Sequence, residues 1–194
     1  MKPAYHTALG AMPDAPEARH FALGGNVAIC HDARDPLPPA FDACDVFYGE
    51  PPWRHGYGVF NRRAGLADAR PFESFVSRLD SLARSLKAPL VYVVGRRDSK
   101  LYRSDATAPT RINGASAVAL YYRSEPFPGD PDAEGILQLL AGRYVRVGDF
   151  LAGCGRAGRI FASRGKAWTL SDYNPRSIGH IAANAHTWAS CVST

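Results

Sequence analysis

Two short stretches of this 194-residue chain carry residue types whose spacing suits chemistry as well as packing. The first is Glu50-Pro51-Pro52-Trp53, which closes an apolar run beginning at Cys44. Consecutive prolines donate no backbone hydrogen bonds, so a strand must stop there. An acid on a rigid turn beside a large aromatic ring can hold a flat polar ligand; punctuation between packed elements is the alternative. The second stretch is Gly153-x-Gly155-x-x-Gly158, with Asp172 beyond it. Glycines let the backbone approach a ligand, and a following helix offers free amides at its N-terminus. An acid at the end of the next strand accepts hydrogen bonds from ribose hydroxyls. These features point to a nucleoside-containing ligand, against the alternative of a tight packing turn.

The elements that must position these residues follow from periodicity. NVAICH (26–31), CDVFY (44–48), PLVYVVG (89–95) and AVALYYRS (117–124) are short apolar runs and predict buried strands. From Pro71 to Lys87, Phe72, Phe75, Val76, Leu79, Leu82 and Leu86 recur at helical spacing, with cations on the other face. The polar stretch 96–116 reads as a loop, as does EPFPGDPD. ILQLLAGRY (136–144) reads as a short helix capped near Gly142. The glycine stretch runs from strand to turn to helix, and 166–188 supplies a further strand and helix. Strands alternating with amphipathic helices predict an α/β fold, with a mainly parallel sheet covered by helices on both faces.

Residues 1–20, with Pro3, Pro13 and Pro16, read as an irregular N-terminal arm, and 21–194 as a single domain. The composition, 46% hydrophobic and 21% charged, suits one packed core. The net charge of +5 and pI near 9.2 favour an anionic partner such as nucleic acid, although a solvated basic surface explains them equally. The sequence has no apolar run long enough for a membrane span and no secretory signal at MKPAYHTALG, so a cytoplasmic protein is expected. Cys30, Cys44, Cys154 and Cys191 are widely spaced, and His31, His55 and His180 lack ligand spacing, so no metal is expected.

Motif order narrows the ligand. A dinucleotide oxidoreductase normally opens its sheet with the glycine unit, whereas here that unit comes late and only one helix and a tail follow Asp172. The order argues against a nicotinamide enzyme. It resembles the permuted, amino-directed class of S-adenosylmethionine-dependent DNA methyltransferases, whose catalytic motif precedes the donor motif. Four segments carry the resemblance, across roughly residues 24–190: His31-Asp32, Glu50-Pro51-Pro52-Trp53, Asp149-Phe150-Leu151-Ala152-Gly153-Cys154-Gly155 and Asp172-Tyr173-Asn174-Pro175. The chain departs from the family in carrying Glu50 where Asp, Asn or Ser is usual. It also lacks the donor-motif proline and has Arg156-Ala157 in place of the usual threonines. About 100 residues separate the catalytic and donor motifs, too few for a separate target-recognition domain beside the elements they contain.

The resemblance implies a Rossmann-like methyltransferase fold that binds S-adenosylmethionine through Asp32, Asp149, Leu151, Gly153, Cys154, Gly155, Asp172, Tyr173 and Asn174. It further implies that the Glu50 carboxylate and the Pro51 carbonyl accept hydrogens from an exocyclic amine of adenine or cytosine. Pro52 would stiffen that turn and Trp53 would stack on the base. The target must be unpaired or flipped, so single-stranded nucleic acid is an expected partner. Arg54, His55, Tyr57, Arg62 and Arg63, and then Arg96, Arg97, Lys100 and Arg103, are candidate phosphate or base contacts. A solvated loop with its tyrosine packed inward is the alternative for the first group. A catalytically impaired or partner-dependent donor-binding subunit, a homodimer, and methylation of RNA, protein or a small molecule remain open.

Overall fold

The computed structural model describes residues 16–63 and 71–188, without the side chains of 59–63. Eight strands form one sheet in the order β1-β2-β8-β7-β3-β4-β6-β5. They are β1 (His20–Leu23), β2 (Asn26–Cys30), β3 (Val46–Gly49), β4 (Leu90–Gly95), β5 (Ala106–Ile112), β6 (Ala115–Tyr122), β7 (Arg146–Asp149) and β8 (Ala167–Asp172). Strands β2, β8, β7, β3 and β4 pair in parallel. β1 joins β2, and the β5–β6 hairpin joins β4, in antiparallel fashion. The helices are α1 (Arg54–Arg63), α2 (Phe72–Ser85), α3 (Ala133–Arg143), α4 (Arg156–Ser163) and α5 (Pro175–Trp188).

Strand alternation sorts the core onto two faces. Val46, Tyr48, Val91 and Val93 pack with Ile136, Leu140, Ile160, Phe161, Ile178 and Ile181 of α3, α4 and α5. Phe47, Leu90, Tyr92 and Val94 point the other way, onto Phe41 and onto Phe75, Val76 and Leu79 of α2. The fold is therefore a doubly wound, Rossmann-like α/β sheet with helices on both faces. No helix among the described residues is long and apolar enough to cross a membrane.

Three predicted elements are corrected. The loop expected over 96–116 contains β5, whose Ala108, Thr110 and Ile112 point inward at alternate positions. Asn113 and Gly114, at φ 49° and 78°, make the tight turn into β6. The arm expected over 1–20 ends earlier, because His20 opens β1 and Gly24-Gly25, at φ 54° and 80°, turn it into β2. Residues 1–15 lie outside the described residues. The helix expected from 136 starts earlier: α3 begins at Ala133, where Asp132 accepts the Gly135 amide at 2.8 Å, and it ends at Arg143, just after Gly142 as expected.

The topology places a crevice. β3 and β7 are neighbours, but β4, which follows β3, and β8, which follows β7, lie on opposite sides of that pair. Ligands of open α/β sheets bind outside the carboxyl ends of the strands at such a switch point.

Candidate active site

Both motifs meet at that switch point. Glu50 follows the last residue of β3, Asp149 ends β7 and Asp172 ends β8. Cys30 ends β2 immediately before His31 and Asp32, and the His31 amide donates to the Asp172 carbonyl at 2.9 Å. Four segments far apart in the chain thus share one sheet edge, and parallel pairing is the reason.

Glu50 shares a strand face with Tyr48, two residues earlier. Its Oε1 accepts the Tyr48 hydroxyl at 2.7 Å and Arg156 Nη1 at 3.0 Å. The side chain is 18% exposed. Burial raises the carboxyl's pKa, while Arg156 and the Tyr48 hydrogen bond pull it back down. Pro51 is buried behind it. Trp53 lies against the end of β4: a Cβ on Gly95 would sit 3.1 Å from the indole, so the glycine lets the ring come this close. His55 meets the indole edge-on at 5.7 Å.

The glycine turn divides by role. Gly153 has φ 51° and open space beside it. Gly155, at φ 83°, could not carry a Cβ without meeting Trp188 at 2.6 Å, and Gly158 would meet Leu170 at 2.7 Å. The last two glycines seat α4 against α5 and β8, and only the first leaves room for a ligand. Asp172 fixes this turn, because Oδ2 accepts the Gly153 amide and Oδ1 the Asn174 amide, each at 2.9 Å. Asn174 in turn accepts the Arg176 amide at 3.0 Å and caps the start of α5. Each Asp172 oxygen keeps acceptor capacity for ribose hydroxyls. Asp149 accepts the Leu151 amide at 2.9 Å and is buried. Burial, then the charges of Glu50 and Asp172, push it well above the ordinary carboxylate range. Leu151, Tyr173 and Asn174 are half-buried at the same edge, and Cys154 is exposed.

Asp32 is forked by Arg34, which also gives it its backbone amide at 2.9 Å. Burial raises Asp32, but Arg34's hydrogen bonds and charge together hold it below its usual value. Any ligand contact made by Asp32 must share its oxygens with that arginine.

The basic residues divide as well. Residues 54–63 form α1 and not a loop. The Arg54 amide donates to the buried Asp98 at 3.0 Å, and its guanidinium pairs with Glu73 at 2.6 Å over the Phe72 ring. Arg54 thereby ties the Pro-Pro turn to β4 and α2. Tyr57 corrects the expected nucleic-acid contact: it is 6% exposed, with ring centroids 5.3 Å from Phe72 and 5.0 Å from Phe75. It lies on the face of α1 that packs on α2. The side chains of Arg62 and Arg63 lie outside the described residues. Arg96 and Arg97 follow β4 at the crevice edge and are exposed, as are Lys100 and Arg103.

Sequence reasoning missed Tyr48, Asp98 and Asn113 as parts of this site. Tyr48 was findable from its two-residue spacing to Glu50 on a strand. Asn113 was signalled by the Asn-Gly dipeptide, a strong hairpin mark. Nothing local marks Asp98.

No family model matches the chain, and no curated protein matches it. Among solved structures it is similar to TTHA0409 of Thermus thermophilus, whose name proposes a DNA modification methylase. The two are 16% identical, over 95% of this chain and 93% of that one, with a TM-score of 0.48. It is also similar to M1.HpyAVI, at 9% identity over 73% and 87% of the two chains and a TM-score of 0.47. Against the M1.HpyAVI-SAM complex the identity is again 9%, over 78% of this chain and 89% of that one, with a TM-score of 0.45. At these identities and scores the likeness adds no chemistry to what the residues themselves display.

Proposed function

We propose that the chain is an S-adenosylmethionine-dependent methyltransferase acting on an exocyclic amine of a nucleic-acid base, adenine or cytosine, with DNA the favoured polymer. One observation carries this reading. The Glu50-Pro51-Pro52-Trp53 turn and the Asp149–Gly155 turn meet at one switch point, with Glu50 3.0 Å from the first residue of α4. The donor, when bound, supplies an electrophilic sulfonium methyl. Open space at Gly153, with Asp172 and Asp149 beside it, fits the donor's amino-acid and ribose groups.

The chain's own residues supply the rest. The Glu50 carboxylate and Pro51 carbonyl accept the amine hydrogens, which localises a lone pair otherwise delocalised into the base. With the donor bound, that lone pair would form the N–C bond as the C–S bond broke, the bonding electrons staying on sulfur. The surplus proton on nitrogen passes to the Glu50 carboxylate and then to water. Trp53, half-buried, offers a stacking face to the base, and Arg96 and Arg97 offer charge to the phosphates. The described residues between Trp53 and Asp149 all belong to α1, α2, α3, β4–β7 and their connections within the one sheet fold, which favours an unpaired or flipped target.

A second reading is a donor-binding subunit that requires a partner chain. The internal pairing of Asp32 by Arg34 and of Glu50 by Arg156 favours it. Transfer that appears only when a partner is added distinguishes it from the first.

Calorimetric titration with S-adenosylmethionine, followed by labelled-methyl transfer to single-stranded DNA, duplex DNA and RNA, tests the proposal. Wild type and Glu50→Gln should bind the donor equally, and Asp172→Ala should bind it weakly. Glu50→Gln should lose about 10²–10³-fold in transfer rate. Absence of donor binding by folded wild type overturns the reading.

A further inference from the structure

An arginine in the first turn of a helix stands against the helix dipole, whose N-terminal end is positive. Arg156 nevertheless opens α4, and its guanidinium reaches back across the switch point. Nη1 donates to Glu50 Oε1 at 3.0 Å, and Nη2 donates to Asn113 Oδ1 at 3.0 Å. Asn113 sits at the tip of the β5–β6 hairpin, at φ 49°. Three elements distant in sequence are thus bridged by one planar fork, a geometry that a lysine ammonium does not reproduce.

The same oxygen of Glu50 also accepts the Tyr48 hydroxyl at 2.7 Å. Both donors therefore converge on Oε1, and among the described residues none is given to Oε2. We propose that Arg156 is a positioning residue: with Tyr48 it pins one oxygen of Glu50, so that Oε2 alone is presented to the substrate amine, and the Asn113 hairpin tip holds the arginine in place. This rests on the amine-methylation reading of the same site and deepens it. The extra methylene of glutamate adds a rotatable bond, and the Tyr48–Arg156 grip removes that freedom. Two donors on Oε1 also favour the acceptor-only carboxylate, against the burial that favours the protonated acid. The charged or titratable groups facing it are Tyr48 from β3, Asp149 from β7, Cys154 from the glycine turn and Arg156 from α4.

The test compares wild type with Arg156→Gln, Arg156→Lys and Asn113→Ala, first without any substrate. Titration of the Glu50 carboxyl by carbon NMR, assigned through Glu50→Gln, reads the link independently of activity. In Arg156→Gln the midpoint should move to higher pH, and Arg156→Lys should restore most of it. With substrate, kcat should fall up to about 100-fold in Arg156→Gln, and its acid limb should move up. Arg156→Lys should recover the limb without the full rate, and Asn113→Ala should lower kcat while the fold is retained. Donor affinity should stay within about twofold throughout, below about half a kcal/mol. An unmoved Glu50 midpoint in folded Arg156→Gln overturns the proposal. So does a loss of donor affinity equal to the loss in kcat, which would make Arg156 a donor ligand. If no polymer is methylated by wild type, the amine-methylation reading fails while the titration still decides the Arg156 link.

Discussion

The paired strands β3 and β7 have an acid, Asp45, at the start of the pair and acids at its finish, and the two ends treat them differently. At the start of the strands, Asp45 accepts the Val145 amide at 2.8 Å and the Arg146 amide at 2.9 Å, so each of its oxygens helps clamp β7 to β3. At the finish, Glu50, Asp149 and Asp172 crowd together. Burial raises each of their pKa values, and the Glu50 and Asp172 charges raise Asp149 further. One acid with two amides fastens a sheet. Several buried acids sharing an edge destabilise the fold, and such an arrangement is expected where a ligand is received.

Substitutions at the two ends sharpen that contrast. The largest effect is expected from Gly155→Ala, which forces a left-handed φ and drives a methyl into Trp188. The strain of about 1–2 kcal/mol and overpacking of about 1–3 kcal/mol sum to about 2–5 kcal/mol of lost stability, measured by denaturant unfolding. Asp45→Ala strands two strand-end amides and should cost about 1–3 kcal/mol in the same experiment. Its donor affinity should match wild type; a large loss would break the division between a fastening end and a receiving end.

Gly153→Ala meets open space, so only the conformational cost of about 1–2 kcal/mol applies. The protein should fold while donor affinity falls more than stability does. The smallest effect on stability is expected from Asp149→Asn, and it has the opposite sign. A carboxyl whose pKa is raised in the folded state contributes stability below its unfolded pKa and loses it as pH rises through the folded value. The variant should therefore melt higher than wild type at mildly alkaline pH, with little difference in acid, while its donor affinity drops. A variant less stable than wild type at alkaline pH would show that the Asp149 charge supports the fold.

By itself the sequence determined the parallel core and the positions of both motifs. Hydrophobic runs such as PLVYVVG, the Pro-Pro stop and the three-glycine turn act locally, through backbone conformation and burial, and local physics is legible in order along the chain. β1 and β5 were less legible. β5 is an edge strand with Pro109 and outward polar residues, and its signal lay in the Asn113-Gly114 turn. Tertiary structure alone decided how the side chains divide their work. It buried Tyr57 under α2, turned Arg54 toward Glu73 and Asp98, and set Gly155 and Gly158 against Trp188. It also brought Arg156 to Glu50 across 106 residues. Such partners are chosen by which strand ends and helix starts the sheet brings together, and no spacing along the chain records that meeting.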